Sequence, residues 1–163
     1  MPKLVVFALV TFLHDLFTVV WIGGLATLAL AVLPAAREAL GKGPSLLQLM
    51  DRVQRRLSTL VYVSMVGLAV TGLLLAQRTG AFGGLFSVAN AYSAVLSGKH
   101  VLMLLMVAVA LARSVALRRP AALKPPQQKL GAALIYLNLA LGVAVLALSG
   151  AGAALATAAP LAG

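Results

Sequence analysis

Residues 4–33 read LVVFALVTFLHDLFTVVWIGGLATLALAVL, with His14 and Asp15 as the sole ionisable interruption. A helix needs about 20 apolar residues to cross a hydrocarbon core, and this run exceeds that. It lacks the alternation of a barrel strand. Pro34 predicts its end, because proline cannot continue a helix without cost. A secretory leader has an apolar region of about 7–15 residues. This run is longer and holds His14, Asp15 and Trp21, so it is expected to stay as a first transmembrane helix.

Three more stretches follow outward from it: residues 57–76, 91–112 and 130–150. Each is apolar and rich in Ala and Leu, as a membrane helix is. The third contains Lys99 and His100. The expected fold is therefore all-α: a polytopic membrane protein, one domain of residues 1–163, with a four-transmembrane-helix bundle. Residues 35–56 read as a short loop, then an amphipathic helix at the interface or extending the second span. Residues 77–90 carry Gly80, Gly83 and Gly84 and read as an interfacial loop or a short re-entrant turn. Pro120, Pro125 and Pro126 mark an exposed connection. The tail after Gly150 is expected to fray.

Composition agrees. Of 163 residues, 62% are apolar and 10% charged, whereas soluble chains are about half apolar and a quarter charged. No core this small hides so much apolar surface. An ordinary soluble enzyme and a disordered tail are excluded. The net charge of +10 could suggest nucleic acid. Ten of the thirteen basic residues, however, fall in two connections. Arg37, Lys42, Arg52, Arg55 and Arg56 occupy the first; Arg113, Arg118, Arg119, Lys124 and Lys129 occupy the other. Basic loops face the cytoplasm. Both termini are then expected outside, in an inner (cytoplasmic) membrane, with a lipid bilayer as partner and no nucleic acid. The chain has no cysteine, so thiol chemistry and disulfides are absent.

Ionisable residues inside a bilayer are functional candidates. His14 lies about ten residues, roughly 15 Å, into its helix. His100 lies at a similar depth in the third, which runs the same way. Two facing histidines suit axial ligation of a haem iron. They also suit copper, with Met103 and Met106 following His100 at one-turn spacing. The simpler alternative is that the histidines hydrogen-bond within the bundle and the methionines fill space. Asp15 and Lys99 are expected as a polar pair, serving neutralisation, a proton relay or a clamp on a carboxylate. Arg78 could serve the same clamp. His14, Phe17, Trp21 and Gly24 share a helical face where a flat ligand could approach. Thr71 and Asn138 read as helix-joining hydrogen-bonding residues.

These residues resemble the CopD/HemJ-like membrane proteins. The run His14-Asp-Leu-Phe-Thr-Val-Val-Trp21-Ile-Gly-Gly24-Leu is similar to that family's first helix. Arg52 to Ala76, with Val70-Thr71-Gly72-Leu73, resembles its second. Tyr92 to Arg113 resembles its third, with Lys99 at the place of the family lysine. The resemblance implies a four-helix core. For HemJ-like members it implies haem b and protoporphyrinogen oxidation, with His14 and Lys99 as the functional pair. For CopD-like members it implies copper uptake or resistance. The His-x-Lys of the HemJ branch stands here as Ser97-Gly98-Lys99, followed by His100.

The leading expectation is a b-haem redox protein of the cytochrome b kind. It would carry out electron transfer or porphyrinogen/quinone oxidoreduction. His14 and His100 would be its axial ligands, with Lys99 as the substitute for His100, since adjacent residues point about 100° apart. Trp21, Gly24 and Arg78 would line the cofactor. A quinone or porphyrin, a membrane or periplasmic redox partner, and self-association go with that reading. Copper transport through His14, His100, Met103 and Met106 is the alternative. A non-catalytic membrane subunit is the third. No catalytic residue is assigned.

Overall fold

The computed structural model describes residues 2–77, 84, 86–116 and 125–158. Helices account for almost all of them, and no strand occurs among them. The first helix is continuous from residue 2 to residue 40. The second is Pro44–Ala76, the third Ala91–Ala116 and the fourth Pro125–Ala158. All four contain a stretch long and apolar enough to cross a membrane. Arg78, Arg118, Arg119, Pro120, Lys124 and half of the 77–90 connection, Gly80 and Gly83 included, lie outside the described residues.

The first helix does not stop before Pro34, and the reason is local. Two wide π-turns interrupt it, Val19–Gly23 and Leu28–Val32. In the second, the N–H of Leu33 bonds the carbonyl of Leu28, five residues back. The carbonyl of Ala29 would then need the N–H of residue 34. Proline has none. The Tyr136 hydroxyl, from the fourth helix, donates to that Ala29 oxygen at 3.0 Å. A proline-induced vacancy in one helix thus becomes a tie to another, and the helix runs on to Leu40. It ends at Gly41, whose φ of 65° is open to glycine at little cost.

The second helix starts with Pro44 in its first turn, where no N–H is needed. It runs straight into the span, so the amphipathic 46–57 stretch extends that helix. The third helix is capped by Asn90, whose Oδ1 accepts the Ser93 N–H at 2.7 Å. The fourth passes through Gly150 and Gly152 to Ala158, where fraying was expected.

The first and second helices form one pair, and the third and fourth another. The pairs meet mainly along the middle of the first helix. Two apolar clusters fill the interior. Leu28, Ala29, Leu33, Leu46, Met50 and Ile135 make one, toward the end that carries the basic 37–56 connection. Trp21, Ile22, Leu68, Met106 and Val145 make the other, nearer the middle. Gly142 lets Ile22 and the Met106 methyl approach the fourth helix; a Cβ there would lie 3.3 Å from both. Polarity is arranged as a bilayer requires. Large apolar residues such as Leu4, Val19, Val66 and Leu104 face outward, while Ser64, Thr71, Ser93 and Asn138 are buried. In lipid, apolar surface has no reason to hide, and small polar groups join helices.

Candidate functional site

His14 lies half-buried on the face of the first helix that packs against the second. Its Nδ1 is 2.9 Å from the Thr71 hydroxyl oxygen. That hydroxyl has a single proton, and it donates it to the Gly67 carbonyl at 2.6 Å. The Thr71 oxygen is therefore left to accept, so His14 carries its proton on Nδ1. Nε2 keeps its lone pair. Which nitrogen is free follows from what the other one bonds.

The second helix has space for this only because two positions lack side chains. A Cβ on Gly72 would lie 3.4 Å from His14 Cε1. A Cβ on Gly67 would collide with the edge of the Phe17 ring. Phe17 and His14 are one turn apart, so Gly67 and Gly72 together receive one face of the first helix. The Thr18 hydroxyl donates to the His14 carbonyl at 2.8 Å, a local bond within the same helix.

The remaining sequence candidates separate. Lys99 is half-buried and within electrostatic reach of both His14 and Asp15. Asp15 is on an exposed face and makes no ion pair with Lys99. Arg55 with Asp51, at 2.8 Å, is the ion pair formed among the described residues. The Lys99 side chain also borders a cavity of about 150 Å³ between the third and fourth helices, with Tyr92, Leu148 and Ser149. His100, the next residue round the helix, sets its ring edge-on to Phe86, centroids 6.3 Å apart. Its Nδ1 is buried without a partner.

Trp21 and Gly24 do not sit with His14. Trp21 lies about 10 Å further along the helix axis. The π-turn at Val19–Gly23 adds a residue to the turn and moves it off the plain seven-residue register with His14. Trp21 and Gly24 instead line a larger cavity of about 280 Å³ toward the basic end. Met106 is 1% exposed and locked in the core, and Met103 packs on the same cluster. Among the described residues, no three His, Cys, Asp or Glu side chains converge as a metal cluster.

Thr71 was legible in the sequence only as a helix-joining residue; its position four after Gly67 gives its hydroxyl the Gly67 carbonyl, and its position against His14 required the structure. Arg113 and Asn138 line the larger cavity and were not anticipated there. Arg113 reads in the sequence as one more topology charge at a helix end.

No curated protein and no solved structure matches the chain at a significant level. The CopD family, described as copper resistance protein D, matches residues 51–155. That stretch holds Gly67, Thr71, Lys99, His100, Arg113 and Asn138, and leaves out the first helix with His14. Because it covers more than half of a multi-pass membrane chain, the protein belongs to the CopD family.

Proposed function

We propose that this protein handles copper within the membrane, with His14 Nε2 as the ligand that meets the ion. The observation that supports this is the His14–Thr71–Gly67 chain. Metal-binding histidines regularly commit one nitrogen to a hydrogen bond, which fixes ring orientation and leaves the other nitrogen basic. Imidazole suits copper. A site with few protein ligands keeps coordination positions open. That suits cargo in transit better than a resident structural metal, whose site is closed by its protein ligands.

Haem b has no support from the cavities described. Cofactor sites are cavities of about 300–1,000 Å³. The two cavities described, about 280 and 150 Å³, have no histidine in their walls. The ring of His14 instead faces the close-packed second helix at Thr71 and Gly72.

Protein purified in detergent after expression with added haem and copper tests the reading. Metal analysis is expected to find copper near one per chain, and the absorption spectrum no Soret band. A Soret band without copper would overturn the assignment. Thr71→Val keeps the shape and removes the acceptor for Nδ1–H. It is expected to weaken copper binding about 10–100-fold, as loss of an outer-shell partner does, measured by competition with a chelator. Thr71→Ser should recover most of that loss.

A further inference from the structure

The larger cavity, toward the basic end, is built by all four helices. Trp21 comes from the first, Arg55 and Ser58 from the second, Arg113 from the third and Asn138 from the fourth. Three of its lining residues each carry a buried polar atom with no hydrogen-bond partner: Trp21 Nε1, Arg113 Nε and Asn138 Oδ1. Trp21 is 1% exposed and Asn138 4%. Buried polar atoms are nearly always paired, because an unpaired one has lost its water without gaining a partner. Three orphans around one cavity mark a place that something else fills.

The charges say what kind of occupant. Asp51, the acidic residue in the wall, is already bonded to Arg55. No described acidic side chain pairs with Arg113. The cavity therefore holds one uncompensated guanidinium. Two of these unpartnered atoms, Trp21 Nε1 and Arg113 Nε, are N–H donors on residues that line the same cavity. Guanidinium groups match oxyanions through paired hydrogen bonds. The free Asn138 oxygen accepts from a hydroxyl. Leu25, Leu28, Val61 and Ile135 form apolar walls on the other sides. At about 280 Å³ the space far exceeds the roughly 30 Å³ share of one water.

We propose that this cavity binds a phosphate-type oxyanion, carried on an anionic lipid headgroup or free, held by Arg113 and Trp21 and separate from the His14 site. Arg113 supplies the charge, Trp21 Nε1 a second donor, and Asn138 an acceptor for a hydroxyl of the bound group.

Thermal unfolding of the full chain in neutral detergent tests this. Inorganic phosphate, short-chain phosphatidylglycerol and short-chain phosphatidylcholine are titrated at ionic strength matched with chloride. Stabilisation by phosphatidylglycerol and not by phosphatidylcholine supports a lipid-borne oxyanion. Stabilisation by inorganic phosphate as well supports the free one. In either case Arg113→Gln is expected to raise the half-saturating concentration about tenfold or more, the effect of losing a charged hydrogen-bonding partner. Arg113→Lys, which keeps the charge, serves as the folded control and should fall between the two. No stabilisation by either anion beyond chloride would overturn the proposal, as would equal stabilisation of wild type and Arg113→Gln.

Discussion

His14→Ala is expected to abolish stoichiometric copper binding, weakening it by more than the roughly 100-fold that loss of an outer-shell partner can cost. The fold should survive. Thr71 keeps its bond to the Gly67 carbonyl, and the half-buried imidazole leaves a small gap rather than a buried charge. His100→Ala should leave copper affinity nearly unchanged, since that ring faces Phe86. Metal analysis and a chelator competition on the three proteins measure this. Copper retained by His14→Ala, or lost equally in His100→Ala, would move the ligand to the third helix.

The second large effect is expected at Gly67. Gly67→Ala drives a methyl into the edge of the Phe17 ring. Phe17 is packed on the Trp21–Leu68 cluster, so it cannot turn aside without leaving that core. Overpacking of this kind costs about 1–3 kcal/mol. Alanine recovers up to about 1 kcal/mol of helix propensity, which offsets only part of it. The consequence reaches the site, because pushing the first helix off the second lengthens the His14–Thr71 bond. Gly67→Ala should therefore lower both the unfolding midpoint and copper affinity. Phe17→Ala in the same chain removes the clash and should restore the affinity. If Gly67→Ala unfolds and binds as wild type does, the helices are not held as close as described.

Residues 4–33 made the membrane helix legible, and the other apolar runs made the bundle so, because a bilayer demands long apolar segments and nothing else looks like them. Pro34 misled for a physical reason. A proline ends a helix unless the freed carbonyl finds another donor, and that donor, Tyr136, is 107 residues away from Ala29. The face shared by His14 and Trp21 was drawn with a regular 3.6-residue turn. The π-turn at Val19–Gly23 sends Trp21 to a different cavity, and a sequence period carries no mark of such a turn. His14 and Lys99 stood out because ionisable groups are rare in apolar runs. Thr71 and Asn138 read only as helix-joining residues and Arg113 only as a topology charge, because a threonine, an asparagine and a helix-end arginine are ordinary in membrane helices. What distinguishes them is the partner they have, or lack, on another helix.

Nitrogen-15 NMR of the imidazoles in a His100→Gln chain, which leaves His14 as the one histidine, reads the central claim directly. Without copper, His14 should show a protonated Nδ1 and an unprotonated Nε2. Adding Cu(I), which is diamagnetic, should move the Nε2 resonance and leave Nδ1 protonated. A proton found on Nε2, or an Nε2 signal indifferent to Cu(I), would contradict the account.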